Sequence, residues 1–185
     1  MKEIEYKFLI NQLPKQIFDK KTQKIEIKQY YFQKNEIILY LKKLNLSNEQ
    51  IEKIESVRIR VENYKNRNKY ILNAKSAGGM VRDEYEIIIS KTQYENFLKK
   101  TIIGEICKTR YKIKHKNFVF EFDEYKGKLI GLLTCEIEVK NTKKYYFDII
   151  RALNEHFKLK IKDITNNQKY KNMNLGKEII YENNW

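Results

Sequence analysis

Charged and apolar residues alternate along several segments of the chain, which predicts β-strands. In residues 3–10, the side chains of Glu3, Glu5 and Lys7 would share one face and apolar side chains the other. Because hairpin-like turns join most of the predicted strands, the pattern predicts a mainly β protein of the α+β class with an antiparallel sheet. The same alternation predicts strands at 24–32, 56–64, 68–75, 81–89, 107–114, 117–125 and 132–140, and a short one at 158–162.

Helical patterns occupy some of the connections between these strands. Ser47 followed by Gln50 is a capping-box signal, and Ile51 and Ile54 would then lie on the inner face of the helix it starts. The segment at about 33–55 is therefore interpreted as a helical insertion. Helices are predicted at about 14–20, 36–55, 90–100 and 143–157.

On strand after strand, the polar face carries charges of both signs. Taken singly, each such face is also what the solvent side of an antiparallel sheet looks like. If the sheet closes into a barrel, however, alternate residues point inward and these charges line a polar tunnel. The repeated pairing of carboxylates and of basic side chains favours the tunnel. The charged faces are Glu3/Glu5/Lys7, Arg58/Arg60, Arg82/Glu84/Glu86, Lys108/Arg110/Lys112, Glu121/Asp123 and Glu136/Glu138/Lys140.

The length and composition fit one domain spanning residues 1–185. Hydrophobic residues make up 42% of the chain, which is enough to form a buried core. With one proline and six glycines, the chain shows no sign of a long flexible linker. No apolar run approaches the roughly 20 residues needed to cross a bilayer, so no membrane association is expected. Cys107 and Cys135 form neither a CxxC pair nor a disulfide framework. We expect a cytoplasmic protein; the oligomeric state stays open, a homodimer included.

The net charge of +14 raises the question of nucleic-acid binding. The basic residues are 32 lysines and six arginines, and the lysines are scattered over the whole chain. Scattered lysine is typical of a solvated surface, so nucleic acid is not the expected partner. The arginines are more informative, because their planar fork binds phosphate oxygens at two points and lysine cannot.

The charged faces suggest phosphate chemistry assisted by a metal ion. Carboxylates spaced i, i+2 on neighbouring strands supply the oxygen ligands that Mg²⁺ or Mn²⁺ require. Basic residues opposite them would hold a polyanion, and a metal with a basic clamp recurs in phosphoryl transfer. The sequence contains no GxxxxGK[ST] loop, no GxGxxG after a strand and no HExxH, which excludes the enzyme classes that depend on those motifs.

A set of motifs in a fixed order resembles one known family. The residues Glu3-Ile4-Glu5-Tyr6-Lys7 form an ExExK motif near the start of the chain. The chain resembles the CYTH superfamily, the triphosphate tunnel metalloenzymes, which include inorganic triphosphatases, thiamine triphosphatases and class IV adenylate cyclases. The further motifs, in order, are Gln29-x-Tyr31, Arg58-x-Arg60, Ala74-Lys75, Arg82-x-Glu84-x-Glu86, Lys108-Thr109-Arg110-Tyr111, Phe122-Asp123 and Glu136-Ile137-Glu138.

The resemblance implies an eight-stranded antiparallel closed barrel, with helices packed outside, around a tunnel that binds a triphosphate-containing small molecule. It implies Mg²⁺ or Mn²⁺ as the cofactor and a role for Tyr31 and Lys75 in handling the attacking water. The metal-ligand positions that it implies are Glu3, Glu5, Asp123, Glu136 and Glu138. The phosphate-binding positions that it implies are Lys7, Arg58, Arg60, Lys75 and Arg110, with Arg82 as an addition.

The expected reaction is metal-dependent hydrolysis of a triphosphate, with inorganic tripolyphosphate as the expected substrate. Two alternatives remain open. The same tunnel could make cyclic AMP from ATP, as class IV adenylate cyclases do, although the HF motif found upstream of ExExK in those cyclases has no room here. It could also belong to a non-catalytic module that binds polyphosphate or a nucleotide.

Overall fold

A computed structural model of the protein describes residues 2–42, 46–140 and 145–181, with side chains described as far as residue 177. Eight antiparallel strands close into a barrel in the order β1-β8-β7-β6-β2-β3-β4-β5, because β5 pairs back onto β1. This confirms the predicted mainly β fold and the closed eight-stranded barrel. The strands are β1 (Lys2–Ile10), β2 (Gln23–Phe32), β3 (Ile54–Tyr64), β4 (Arg67–Ser76), β5 (Val81–Ile88), β6 (Ile102–His115), β7 (Phe118–Tyr125), β8 (Leu133–Glu138) and the short β9 (Ile161–Asp163).

Strand β1 closes the barrel because its two halves have different neighbours. Its first half pairs with β5, with Glu3 opposite Arg82. Its second half pairs with β9, with Ile10 opposite Ile161. Strand β8 runs along the other edge of β1 and places Glu138 opposite Glu5. The ExExK segment therefore lies at the seam where the sheet meets itself.

Short helices fill the connections and lie outside the barrel. Ser47 and Ser90 each form the capping box that starts a helix, and the box predicted at Ser47 is confirmed. Among the described residues, no helix is long and apolar enough to span a membrane. The helices are α1 (Ile38–Lys42), α2 (Asn48–Glu52), α3 (Lys91–Phe97), α4 (Tyr146–Arg151), which continues as a wider turn over Ala152–His156, and α5 (Asn172–Tyr181).

Two of the helix predictions need correction. The predicted helix at 36–55 is broken into a 3₁₀ turn and two short helices, and Ile54 begins β3 instead of lying on a helix face. The β-branched residues that follow Ile54 favour a strand, which ends the helix early. The helix predicted at 14–20 is one 3₁₀ turn, Lys15–Phe18. The predicted start of the fourth helix, at 143, lies outside the described residues.

The apolar core lies between the barrel and its helices, not inside the barrel. One cluster packs β1, β7 and β8 against α4, with Phe8, Phe120 and Phe157 fully or almost fully buried. A second cluster packs β3 and β4 against α1–α3, with Ile59 and Phe97 among its buried members. Since the inward faces carry charge, the apolar outward faces must be covered by helices to bury enough surface for a stable fold.

Candidate active site

The barrel encloses a cavity of about 940 Å³ that is lined by side chains from all eight strands, most of them acidic or basic. Of the predicted site residues, all but Asp123 line this cavity, which we call the tunnel. Asp123 is fully buried behind the lining, where it binds Lys108 and Arg110. The predicted residues that line the tunnel are Glu3, Glu5, Lys7, Tyr31, Arg58, Arg60, Lys75, Arg82, Arg110, Glu136 and Glu138.

Glu3 is held between two basic side chains. Its carboxylate oxygens lie 2.7 and 2.8 Å from the Lys75 ammonium, and one of them accepts a 2.8 Å hydrogen bond from Arg82 Nε. Burial alone would raise the pKa of Glu3, but Lys75 and Arg82 outweigh burial and lower it to about 2. Glu3 is therefore ionised at neutral pH.

Glu5 and Glu138 face each other across β1 and β8. Burial and the nearby Glu136 carboxylate raise the pKa of Glu5 to about 7. The pKa of Glu138 is also raised, by burial and by Glu3. The nearest basic contact of Glu5 is Arg82 Nη2, at 3.7 Å. Two carboxylates so placed repel each other unless a cation lies between them.

The carboxylates do not form a finished metal site as they stand. Within the part of the chain that the structure describes, no three acidic, histidine or cysteine side chains converge closely enough to hold a metal ion. The reason is visible at Glu3 and Glu136, because basic side chains already occupy both carboxylates. The donor set nevertheless fits Mg²⁺ or Mn²⁺, since it consists of carboxylate oxygens on adjacent strands.

On the side of the tunnel formed by β6, β7 and β8, basic side chains form ion pairs with the carboxylates beside them. Arg110 binds Asp123 at two points, through Nε at 2.7 Å and Nη2 at 2.6 Å, and also contacts Glu121 and Glu136. Burial opposes its charge, but the three carboxylates raise the pKa of Arg110 well above its ordinary value. Lys108, which also binds Asp123, has its pKa lowered to about 8 by burial and by Arg110.

The side formed by β2, β3 and β4 is different. Arg58 and Arg60 are directed into the tunnel, and the Nε of each is buried without a hydrogen-bond partner among the described residues. Arg60 Nε lies 3.0 Å from a Glu62 oxygen, but the two are not aligned for a hydrogen bond. Burial and the neighbouring Arg58 lower the pKa of Arg60. Buried donors without acceptors are costly, so this side is suited to an anionic ligand.

Tyr31 lies at the buried end of the same side and is only 2% exposed. Its hydroxyl oxygen accepts hydrogen bonds from Gln29 Nε2 at 2.9 Å and from Arg58 Nη1 at 3.4 Å. Both bonds use the oxygen as an acceptor, so its own proton remains free for a further bond. Tyr30 faces the other way and packs on the outer apolar cluster.

Lys75 lies beside Glu3 and Glu84, with its ammonium 3.2 Å from the Glu84 carboxylate. In this arrangement both neighbours are acceptors for a charged ammonium. Lys75 is buried and lines the tunnel. It can therefore serve as a positive charge near a bound phosphate.

Sequence reasoning missed several polar residues of the site. Glu62 and Asn73 share the inward faces that Arg58 and Lys75 define, so extending the alternation by one or two positions would have found them. Tyr125 follows Asp123 in the same way. Asn172, which reaches the tunnel from α5, has no signal of this kind in the sequence.

Comparison with known proteins identifies a family and a curated relative of this chain. The family model described as CYTH domain matches residues 1–170. The inorganic triphosphatase of Nitrosomonas europaea is 39% identical over 71 residues, which cover 38% of this chain and 47% of that protein. The match thus spans about half the length of that curated relative.

Solved structures share the fold over nearly the whole chain. A crystal structure of an inorganic triphosphatase superimposes with a TM-score of 0.56 at 25% identity and covers 95% of this chain and 94% of its own. An adenylyl cyclase homologue from Hippeastrum, described as having a dominant triphosphatase activity, has a TM-score of 0.56 at 14% identity. It covers 86% of this chain and 90% of its own, and at that identity it supports the fold alone.

Proposed function

Because the chain belongs to the CYTH domain family, we propose that it is a metal-dependent triphosphatase whose substrate is inorganic tripolyphosphate. The comparisons support a triphosphatase-type activity, through the curated relative and the solved inorganic triphosphatase.

The convergence of both charge types in one enclosed tunnel carries the proposal. The Nε atoms of Arg58 and Arg60 are buried with no hydrogen-bond acceptor among the described residues, and a phosphate oxygen is an acceptor that fits the planar fork of arginine. Arg60 also has ion pairs with Glu62 and Glu86. Lys75 and Arg82 extend the basic surface toward the seam of the barrel. A chain of phosphates lying in the tunnel would contact basic groups along its length.

The charge balance of the tunnel explains why a divalent metal is needed. Its lining carries ten basic and nine acidic side chains, which nearly cancel. A nearly neutral tunnel cannot offset a polyanion by itself, and burying an unbalanced charge is costly. Divalent cations that enter with the substrate would restore the balance.

We assign the metal to Glu5 and Glu138, at the seam between β1 and β8, since Mg²⁺ is commonly held by one or two carboxylates together with substrate phosphates. Glu5 and Glu138 are opposite each other and Glu3 lies one inward position away on β1. Mg²⁺ or Mn²⁺ bound there would neutralise phosphate charge and lower the pKa of a bound water. The other carboxylates that the resemblance implies as ligands are already paired with basic side chains. Glu3 is bound to Lys75 and Arg82, and Glu136 and Asp123 are bound to Lys7, Arg110 and Lys108. We propose that these three carboxylates chiefly hold the basic side chains in place.

The reaction needs little covalent chemistry from the protein. The oxygen of a water molecule bonds to the terminal phosphorus, the anhydride P–O bond breaks, and orthophosphate and pyrophosphate leave. Tyr31 and Lys75 would orient the attacking water and the terminal phosphate, since both line the buried part of the tunnel. Positioning and electrostatic stabilisation then supply most of the rate acceleration.

A phosphate-release panel tests the proposal. The wild-type chain should release phosphate from tripolyphosphate with Mg²⁺ or Mn²⁺, faster than from pyrophosphate, ATP or thiamine triphosphate. Glu5→Gln, which keeps the shape and removes the charge, should lower turnover by about a hundredfold or more, as expected when a group that stabilises the transition state is lost.

Glu124→Gln is the matched control, because Glu124 lies on the outward face of β7, away from the tunnel, where it accepts a hydrogen bond from the Tyr111 hydroxyl. It should leave turnover unchanged. A wild-type chain that releases no phosphate from any triphosphate would contradict the proposal. A fully active Glu5→Gln variant would contradict the metal assignment.

A further inference from the structure

Helix α5 is docked on the barrel at a point where two backbones approach closely. A Cβ built on Gly104 of β6 would lie 3.1 Å from the backbone of Gly176, and one built on Gly176 would lie 3.1 Å from Glu105 N. Neither position has room for a side chain without movement. Leu175, which is 3% exposed, packs beside this contact on Ile106 and Tyr125. The depth of α5 relative to the barrel is therefore fixed by packing.

The first residue of α5 sends its side chain into the barrel. Asn172 Oδ1 accepts a 2.6 Å hydrogen bond from the Tyr125 hydroxyl and a 3.1 Å hydrogen bond from the Lys7 ammonium. Tyr125 is 1% exposed and Lys7 is 7% exposed. One carboxamide oxygen thus joins β1 and β7, the two strands that flank β8 in the barrel.

Lys7 in turn connects Asn172 to the charged side chains that line the tunnel. Lys7 Nζ lies 2.8 Å from Glu136 Oε1, and Glu136 also contacts Arg110. The Lys7 ammonium has three donors, and its neighbours within 3.5 Å are Glu136, Asn172 and the Tyr125 oxygen. Asn172 is therefore one of three groups that orient the Lys7 ammonium.

We propose that Asn172 is a positioning residue that holds Lys7 and Tyr125 in the geometry required for triphosphate turnover. This inference rests on the proposed function, since the effect is measured on tripolyphosphate. Asn172 acts through Lys7, not on the substrate itself. The tail of the chain is thereby part of the active-site architecture, although it lies beyond residue 170, where the family match ends.

The neutral amide is the side chain that suits this position. An amide oxygen accepts both hydrogen bonds without neutralising Lys7, so the ammonium charge stays available to Glu136 and to a phosphate. A carboxylate could accept the same two bonds, but it would form an ion pair with Lys7 and add negative charge near a bound polyanion.

A double-mutant cycle on kcat/KM for tripolyphosphate tests the inference. Asn172→Ala should lower kcat/KM about tenfold, the size expected for losing a hydrogen bond to a charged group. In a Lys7→Met background, the same substitution should lower it further by less than about twofold, because the group through which it acts is gone. Asn174→Ala is the matched control, since the Asn174 side chain donates a hydrogen bond to the Gln168 backbone carbonyl outside the tunnel lining, and it should leave kcat/KM unchanged.

Asn172→Asp provides a variant that keeps both acceptor bonds and the docking of α5. We expect it to unfold at the wild-type temperature and to raise KM more than it lowers kcat. The inference is overturned if Asn172→Ala matches Asn174→Ala, if its loss is undiminished in the Lys7→Met background, or if Asn172→Asp behaves as wild type. A wild-type chain without triphosphatase activity would instead overturn the proposed function, so the two failures are distinguishable.

Discussion

Two walls of the tunnel carry similar arginine motifs in opposite electrostatic settings. The β3 wall has Arg58 and Arg60, and the β6 wall has Arg110 between two lysines. In the register of the sheet, Arg58 lies between Tyr31 and Asn73, which are uncharged. Arg110 lies opposite Asp123 and binds it at two points.

This difference shows that the side chains on the neighbouring strands, and not the arginine motif itself, determine whether an arginine pairs with protein carboxylates or is available to a ligand. On the β3 wall, the Nε atoms of both arginines have no hydrogen-bond partner among the described residues, and burial lowers the pKa of Arg60. The carboxylates of Glu62 and Glu86 contact Arg60, but Arg58 has no carboxylate closer than 4.0 Å among the described residues. On the β6 wall, three carboxylates raise the pKa of Arg110. We therefore expect the β3 wall to bind the phosphates and the β6 wall to maintain the barrel.

The largest expected effect is on the stability of the β6 wall. Asp123→Ala would leave Lys108 and part of Arg110 buried without their carboxylate, which should lower the free energy of unfolding by about 3–5 kcal/mol. Glu124→Ala, on the outward face of the same strand, should cost less than about 1 kcal/mol. Urea denaturation followed by circular dichroism measures both. Equal losses for the two variants would contradict the structural role of Asp123.

The next effect is on the function of the β3 wall. Arg58→Ala should lower kcat/KM for tripolyphosphate about a hundredfold, because a buried donor for phosphate oxygens is removed. Its free energy of unfolding should change by about 1 kcal/mol or less, since the contacts that Arg58 loses are long, at 3.4 Å to the Tyr31 hydroxyl and 4.0 Å to Glu84. Arg151→Ala, in the exposed part of α4, serves as the control. If Arg58→Ala lost as much stability as Asp123→Ala and retained its activity, the β3 wall would have a structural role and not a phosphate-binding one.

The smallest effects come from exchanging arginine for lysine on each wall. Arg58→Lys keeps the charge and loses the fork, so kcat/KM should fall about tenfold with stability unchanged. Arg110→Lys cannot bind Asp123 at two points, so the free energy of unfolding should fall by about 1–2 kcal/mol. The two measurements are kcat/KM for tripolyphosphate and the free energy of unfolding by urea, made on both variants. If both variants lose activity while neither loses stability, the two walls do not have different roles.

The strands and their inward faces follow from local pattern. The alternation in residues 3–10 places Glu3, Glu5 and Lys7 on one face, and the structure directs all three into the tunnel. The period of a strand is two, so a face is readable from a single segment. The capping boxes at Ser47 and Ser90 are equally local.

The partners of each charge could not be predicted from the sequence. Whether Arg110 binds a carboxylate or faces a ligand depends on the register of β7, which is a contact between distant segments. The position of α5 is likewise set by the close approach of Gly104 and Gly176. The first turns of that helix contain Asn172, Asn174 and Gly176, which are weak helix formers, so its pattern is faint.

A structure of the wild-type chain with Mn²⁺ and a non-hydrolysable imido analogue of tripolyphosphate would show whether the β3 wall binds the phosphates. We expect phosphate oxygens within hydrogen-bond distance of Arg58 Nε and Arg60 Nε, with the metal at Glu5 and Glu138. An analogue bound on the outer surface of the barrel, or a tunnel whose arginines make no phosphate contact, would contradict it.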